Sequence, residues 1–343
     1  MIVLYILIAI LLFGFLIFVH ELGHYTFARI FHVTIEEFAL GMGPKILSRV
    51  SKKTNIRYSL RLFPIGGFVS MPGEDEVSED PNSFYNKPVY QKIIITIAGG
   101  LTNIVVGFIV MFFIVAFSAQ LFAPKVSNFA EWSTSNTYGL KENDVIVQFA
   151  GNNVHTAYEL AYDIQWKGAN PVDIVVERDG ERVVLHDVVF PTENASGIDI
   201  GVRDFNFTET DKTLGMVIKD SFYRSIVSIR MVYDSLWGLI TGKFNINQMS
   251  GPVGITKVMV EAAETSATSL FSIFVIIAMN LGIFNLLPIP ALDGGRILIM
   301  LIEWITKKRI SMKVQGIMNM VVFALLILLM LYVTFKDILS FFN

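Results

Sequence analysis

The sequence contains no cysteine among its 343 residues, and only 17% of the residues are charged. The absence of cysteine excludes a disulfide framework, a zinc finger and a thiol nucleophile, so any bound metal ion must be held by histidine, aspartate or glutamate. With 53% hydrophobic residues and a mean hydropathy of +0.56, the chain is too apolar for an ordinary soluble domain. The net charge of −3 and the lack of a basic, aromatic-rich stripe give no sign of a nucleic-acid partner. The composition therefore predicts a membrane protein.

Four uncharged stretches, 1–19, 93–124, 265–292 and 314–335, are long enough to span a lipid bilayer as helices. Lysine and arginine are concentrated between them, with nine in the segment 29–92 and five in the segment that starts at Arg296 and ends at Lys313. Because cytoplasmic loops carry the excess of basic residues, we expect both segments to be cytoplasmic and both chain termini to lie outside.

The long segment between the second and third spans has a different sequence pattern. Residues 124–204 contain short alternating runs, such as VDIVVERDGERVVLHDVVF, separated by turn residues, which predict a β-rich module outside the membrane. From Phe222 to Ile240 apolar residues recur every three or four positions, which predicts an amphipathic helix. We therefore divide the chain into a membrane core (1–123), the module (124–204), a helix and connector (205–264), and a second membrane core (265–343).

The end of the first span carries the motif HELGH, in which His20 and His24 are four residues apart. On a helix this spacing places both imidazoles on one face, where they can bind one Zn²⁺. Glu21, beside them, can take a proton from water that the metal has acidified and deliver it to a leaving amine, so the pattern is typical of metal-dependent hydrolases. In the alternative interpretation, these residues are a solvated cytoplasmic surface that follows the span.

A catalytic zinc site also needs a third protein ligand. Glu36 and Glu37 are candidates, but they follow His24 closely in the sequence. Asp293 lies at the end of the third span, which runs from outside to inside like the first span, so it is expected at the same membrane depth as the histidines. The surrounding LDGG sequence can also be an ordinary turn.

These motifs occur in the order typical of a known family. HELGH, AGGLTN, a β-rich module, MSGPVGI and NLLPIPALDGG follow each other as in the site-2 proteases, the intramembrane zinc metalloproteases, and the chain resembles the bacterial RseP/RasP branch, whose members carry PDZ domains. The resemblance implies that His20, His24 and Asp293 bind zinc, that Glu21 is the general base, and that Asn280 and Asn285 position the substrate. It departs at Gly100, where proline is usual, and at Asn143, where glycine is usual.

The fold class expected from these observations is a polytopic α-helical membrane protein with four transmembrane helices, an inserted extracytoplasmic PDZ-like domain and a membrane-associated β-hairpin. The hairpin is predicted for residues 57–71, with Gly66 and Gly67 near its bend. Its edge, including Phe68, can pair with an unwound substrate segment. Such unwinding would expose peptide bonds that a helix shields from attack. The alternative is a simple cytoplasmic hairpin.

The function implied is zinc-dependent hydrolysis of peptide bonds in transmembrane proteins or peptides, such as a trimmed anti-sigma factor or a signal-peptide remnant. The expected location is the bacterial inner membrane, with the active site towards the cytoplasm. The alternative function is a membrane-anchored PDZ adaptor that does not catalyse. The intact Glu21 favours the protease, because an adaptor has no need of a general base.

Overall fold

The structure is a computed structural model that describes residues 2–74, 76–195, 197–244 and 249–339. The chain forms two compact units, one made of Met1–Gly107 with Met249–Asn343 and the other of Phe108–Gln248. The helices are α1 (Ile2–Ile30), α2 (Val89–Phe117), α3 (Ala157–Lys167), α4 (Leu214–Ile240), α5 (Pro252–Thr265), α6 (Ala267–Leu286), α7 (Asp293–Thr306) and α8 (Met312–Leu339). The strands are β1 (Glu37–Val50), β2 (Arg57–Ser70), β3 (Leu121–Phe129), β4 (Val145–Phe149), β5 (Asn152–Asn153), β6 (Val172–Arg178), β7 (Glu181–Val188), β8 (Thr192–Ala195), β9 (Ile198–Gly201) and β10 (Phe205–Thr210).

The four predicted spans correspond to α1, α2, α6 and α8. Within the described part of the chain, these are the four helices long and apolar enough to cross a membrane. Their surfaces remain largely uncovered in the structure, and only 6% of the most apolar window of α8 is buried. Such surfaces suit a hydrocarbon environment, because lipid chains cover them as well as apolar side chains do.

The third span is shorter than the sequence predicts. Helix α6 ends at Leu286, and Pro288 and Pro290 follow it. Proline cannot continue a helix, so the chain turns before α7 begins at Asp293. Residues 296–313, predicted as a loop, therefore contain most of a further helix, whose Ile299 and Met300 are buried.

A small sheet in the first unit is formed by β1 and β2, each of which bends back on itself. The register orders four segments as 47–50, 57–60, 37–40 and 67–70. The predicted hairpin in 57–71 does reverse direction, and Gly66 adopts a φ of +82° that favours glycine. Its pairing was wrong, because the two arms flank segment 37–40 and pair with it instead of with each other.

The MSGPVGI motif attaches α5 to α8. The backbone N–H groups of Gly251 and Gly254 each donate a hydrogen bond of 2.8 Å to Oδ2 of Asp337, which is 6% exposed. A carboxylate satisfies the free N–H groups of a helix start and is favoured by the helix dipole. A Cβ atom at either glycine would lie 2.9 Å from the same oxygen, so the close approach requires glycine.

The second unit is built on a sheet in the order β10-β3-β4-β6-β7, with β5 paired to β4 and a separate hairpin of β8 and β9. Alternate residues of β4 and β6, such as Ile146 and Ile174, enter a core in which Leu160 and Ile164 of α3 are also fully buried. The β-rich structure predicted for this region from the sequence is confirmed.

Helix α4 packs against α3 through charged and polar pairs. Arg230 donates a hydrogen bond of 2.5 Å to Asp163, and Tyr162 donates one of 2.6 Å to Asp234. Burial raises the pKa of Asp163, although its hydrogen bond with Arg230 acts in the opposite direction. The predicted amphipathic helix thus lies from Leu214 to Ile240, starts earlier than expected, and is joined to the β-rich sheet within one unit. The connector residues 245–248 lie outside the described residues.

Candidate metal centre

The two histidines of the HELGH motif lie on one face of α1, in the C-terminal half of this helix. Nε2 of His20 and Nε2 of His24 are 3.2 Å apart, and the two rings stand nearly perpendicular, at 83°. Both side chains are 12% exposed. The α-helical backbone produces this arrangement directly, because residues four apart occupy the same helix face.

Asp293 reaches the histidines from the other end of the chain. Its Oδ2 atom lies 3.2 Å from Nε2 of His20 and 3.3 Å from Nε2 of His24. The first turn of α7 can pack onto the preceding loop because glycines follow Asp293: a Cβ atom at Gly294 would lie 2.1 Å from the carbonyl oxygen of Leu287. The loop is also anchored by Asn319 of α8, whose Oδ1 accepts a hydrogen bond of 3.0 Å from the Ala291 N–H. The LDGG sequence therefore starts a helix and is not an isolated turn.

The three donor atoms have the spacing of a zinc site. In a tetrahedral site with metal–ligand bonds of 2.0–2.1 Å, neighbouring donor atoms lie about 3.3–3.4 Å apart. The separations among His20, His24 and Asp293 are 3.2, 3.2 and 3.3 Å. Within the described residues, this is the group of three metal-binding side chains whose ligand atoms come together. The residues therefore fit a zinc ion.

The hydrogen bonding around His24 supports a cation at this point. Its Nδ1 atom lies 2.9 Å from the carbonyl oxygen of Ile95, a partner that can only accept a hydrogen bond. In the neutral imidazole that a metal ion binds, Nδ1 therefore carries the hydrogen and Nε2 presents a lone pair. A lone pair cannot satisfy the Oδ2 atom of Asp293, which is buried without a hydrogen-bond partner among the described residues. A metal ion would satisfy both acceptors.

Glycines allow α2 to approach the histidines. A Cβ atom at Gly99 would lie 2.3 Å from Nε2 of His24, and one at Gly23 would lie 2.4 Å from the carbonyl oxygen of Ala98. On the other side of α2, a Cβ atom at Gly100 would lie 2.7 Å from the carbonyl oxygen of Gly282 in α6. The glycines of HELGH and AGGLTN thus permit the close packing of three helices around the site.

A cavity of about 540 Å³ opens beside the three side chains. Glu21 lines it, as do residues 67–70 of β2 and Arg296 of α7, which forms an ion pair with Glu74. A Cβ atom at Gly67 would lie 2.9 Å from Cγ of Glu21, so the backbone of β2 passes directly beside this carboxylate. Among the described residues, segment 67–70 has a sheet neighbour on one side only, namely segment 37–40. The cavity therefore brings the metal-binding group, a carboxylate and a free strand edge together.

The two glutamates considered as a third ligand lie outside the group formed by His20, His24 and Asp293. Glu36 lines the same cavity, where its carboxylate accepts a hydrogen bond of 3.2 Å from the Ser70 hydroxyl. Glu37 is buried in the sheet and accepts hydrogen bonds from Ser59, Lys45 and Arg61. Burial alone would raise the pKa of Glu37, but these three donors outweigh it and lower the pKa to about 2. Neither glutamate belongs to the converging group.

The predicted substrate-binding residues are only partly brought together. Gly67 and Phe68 line the cavity, whereas Gly66 is not among its lining residues and lies against Met42 instead. Asn280 and Asn285 lie on α6, both half-buried, and neither is among the lining residues of this cavity in the described part of the chain. The roles of Ile95 and Asn319 could not be predicted from the sequence, because a backbone carbonyl and a single amide in a span have no characteristic pattern.

Comparison with known sequences identifies the family. The sequence model of Peptidase family M50 matches residues 8–329. The chain belongs to peptidase family M50. It is 36% identical over 335 residues to a protein of Clostridium acetobutylicum named "Putative zinc metalloprotease", with 97% of each chain covered. It is also 29% identical to the zinc metalloprotease RasP of Geobacillus kaustophilus, with 97% of each chain covered. For the regulator of sigma-W protease RasP of Bacillus subtilis the identity is 28%, covering 96% of this chain and 97% of RasP.

The resemblance to site-2 proteases is thereby confirmed. This M50 chain is a membrane protein and a zinc metalloprotease, and the comparisons favour the intramembrane protease over the adaptor. Zinc is the metal of this family, in agreement with the donor set of two imidazoles and one carboxylate.

Proposed function

We propose that this M50 protease cleaves a peptide bond within a membrane-spanning segment of its substrates, with His20, His24 and Asp293 as zinc ligands and Glu21 as the general base. The observation that carries this proposal is the spacing of the three donor atoms at the end of an apolar helix. Ionisable groups at membrane depth are costly and usually functional. Here they are grouped at separations that suit one metal ion and lie beside a cavity of about 540 Å³.

The chemistry requires one group that moves protons. Zinc, when bound, supplies Lewis acidity, which polarises a carbonyl group and makes water a stronger acid. Glu21 lies on the same helix turn as the histidines and lines the same cavity. Its carboxylate takes a proton from the attacking water as the new C–O bond forms. It then gives this proton to the amide nitrogen as the C–N bond breaks, so that a carboxylic acid and an amine leave.

The strand edge at 67–70 suits an unwound substrate. A transmembrane helix shields its own peptide bonds, because each carbonyl group accepts a hydrogen bond from the N–H group four residues later and is surrounded by side chains. We propose that a substrate segment leaves its helix and pairs with the free edge that includes Gly67 and Phe68, since such pairing replaces the lost backbone hydrogen bonds. Gly66 permits the bend that aims this edge at the cavity. We propose that the amides of Asn280 and Asn285 hold a further part of the same segment.

The relatives support a proposal for the substrate class. The relative from Bacillus subtilis is named "Regulator of sigma-W protease RasP". We propose that the present chain cleaves the membrane-spanning remnant of a regulatory protein such as an anti-sigma factor, or a signal-peptide remnant. We propose that the cavity of about 540 Å³ beside Glu21 takes an extended peptide, and therefore a substrate whose bulky parts have already been removed.

We propose a topology in which both termini and the β-rich module are outside a bacterial inner membrane and the zinc site lies towards the cytoplasm. The distribution of lysine and arginine supports this orientation. For the module, 124–204, we propose a PDZ-like domain. The strands and helix α3 enclose one apolar core, which supports a compact β-rich domain of this kind. The remaining proposed divisions are 1–123, 205–264 and 265–343.

The test of this function is cleavage of a synthetic single-span substrate in liposomes by the purified, zinc-loaded protein. The matched variant is Glu21→Gln, which removes the base and preserves the size of the side chain. We expect the variant to retain zinc and to lose cleavage by a factor of about 10² or more. Wild-type protein that binds zinc but leaves every single-span substrate intact would contradict the proposed function, and substantial cleavage by Glu21→Gln would contradict the role of Glu21.

A further inference from the structure

Asn103 is a fully buried amide in an apolar helix that has a vacant hydrogen-bonding atom. It lies on α2, its exposed fraction is 0%, and its Oδ1 atom has no hydrogen-bond partner among the described residues. A buried acceptor left without a hydrogen bond is unfavourable, because it has lost its hydrogen bonds to water without replacing them.

The contact of Asn103 is with His20. Its Nδ2 atom lies 3.5 Å from Nδ1 of His20, which is the ring nitrogen that faces away from Asp293. The helix geometry explains this position, because Asn103 is one turn after Gly99, whose missing side chain lets α2 approach the same two imidazoles. Gly99 makes room for the rings, and Asn103 reaches the far side of one of them.

The two histidines then differ in one respect. Nδ1 of His24 donates to the carbonyl oxygen of Ile95, which fixes the hydrogen on Nδ1 and the lone pair on Nε2. Among the described residues, His20 has no carbonyl partner of this kind, and Asn103 is the hydrogen-bonding side chain that faces its Nδ1 atom. For Nε2 of His20 to bind a metal, Nδ1 must carry the hydrogen, so the atom opposite must be an acceptor.

Rotation of the amide by 180° satisfies both residues. It exchanges Oδ1 and Nδ2, atoms of almost the same size, and places the oxygen where it can accept the hydrogen from Nδ1 of His20. We propose that Asn103 is a positioning residue for the zinc site, whose side-chain oxygen holds His20 in the tautomer and ring orientation that present Nε2 to the metal. This inference rests on the proposed role of His20, His24 and Asp293 as zinc ligands.

The two histidines are therefore oriented by different kinds of group. A backbone carbonyl orients His24 and cannot be removed by substitution, whereas a side chain orients His20 and can be. Loss of a group that orients a metal-binding histidine typically weakens metal binding about 10- to 100-fold. The substrate need not touch Asn103 for this effect.

The test measures zinc affinity by competition with a chelator in detergent, for the wild type and three variants. Asn103→Leu has a similar volume and no acceptor, and we expect a 10- to 100-fold weaker affinity. Asn103→Asp retains an acceptor, and we expect an affinity within about threefold of the wild type. The control is Thr102→Val, which removes a hydrogen bond from α2 to the Val19 carbonyl of α1 but no contact with a histidine. It should also remain within about threefold of the wild type.

Two results would overturn the proposal: wild-type affinity in Asn103→Leu, or an affinity in Asn103→Asp as weak as in Asn103→Leu. If the variants do not fold, NMR of zinc-loaded wild-type protein with labelled histidine and asparagine decides, because the proposal requires the Nδ1 hydrogen of His20 to be hydrogen-bonded to the side-chain oxygen of Asn103. An Nδ1 hydrogen of His20 that exchanges freely with water and shows no coupling to Asn103 would overturn it. Asp293→Ala, measured in parallel, separates the two levels of inference. If Asp293→Ala weakens zinc binding and Asn103→Leu does not, only the role of Asn103 fails.

Discussion

The Oδ2 atom of Asp293 lies 3.2 Å from Nε2 of His20, although the two residues come from opposite ends of the chain. Two glycine-dependent contacts make this possible. Gly294 lets α7 begin tightly against its preceding loop, and Gly100 lets α2 lie against α6. Because the proposed metal-binding group depends on this packing, changes to backbone contacts should affect zinc binding even where no proposed ligand is altered.

Gly99→Ala tests that dependence. A methyl group at this position would lie 2.3 Å from Nε2 of His24, a separation that cannot be tolerated without movement of the helix or the ring. We expect zinc affinity to fall by about tenfold or more, since displacement of one ligand leaves the site incomplete. The measurement is a zinc titration. Gly14→Ala is the matched control, because a Cβ atom at Gly14 of α1 has no neighbour within 4 Å. Equal affinities in the two variants would refute the steric argument.

The sheet beside the cavity should respond to pH through Glu37. Burial raises its pKa, but hydrogen bonds from Ser59, Lys45 and Arg61 lower it from 4.5 to about 2. Because the folded state holds the carboxylate in its charged form, the contribution to stability is complete above about pH 4.5 and is lost as the pH falls through about 2.

Glu37→Gln is therefore expected to speed amide hydrogen exchange in 37–40 and 67–70 at pH 7. The difference from the wild type should shrink as the pH falls from about 4.5 to about 2, after correction for intrinsic exchange rates. Glu79→Gln is the control, because Glu79 is exposed. A difference that stays constant over this pH range would show that Glu37 acts through its shape and not its charge.

Much of this architecture was predictable from the sequence, and the exceptions have physical reasons. The helices α1, α2, α6 and α8 were predictable because their long uncharged runs leave few alternatives. Helix α7 was missed, since a short amphipathic helix after two prolines looks like a basic loop. The pairing of β2 was wrong because alternation shows that a segment is extended but does not identify its neighbour.

The candidate site likewise contains residues that the sequence predicts and residues that it does not. His20, Glu21 and His24 form a local motif whose spacing carries its meaning, and Asp293 could be joined to them through topology alone. The contacts of Asn103 could not be predicted, because a single polar residue in a span gives no indication of which neighbouring helix it faces.

The proposed orientation in the membrane can be tested with single cysteines, since the native chain has no thiol. Lys52→Cys and Asn152→Cys place the thiol at exposed positions of the two units. In intact cells we expect a membrane-impermeant reagent to label position 152. Position 52 should react only after the membrane is opened, because basic segments remain cytoplasmic. Labelling of both positions from the same side would contradict the proposed topology.

The zinc content of Asp293→Ala tests the central claim most directly. If His20, His24 and Asp293 form one site, the wild type should bind one zinc ion per chain and the variant should lose most of its zinc, because two histidines do not complete the site. Glu36→Gln is the control, since Glu36 lines the same cavity outside the converging group. We predict full zinc in Glu36→Gln and depleted zinc in Asp293→Ala. Wild-type zinc content and affinity in Asp293→Ala would contradict the account.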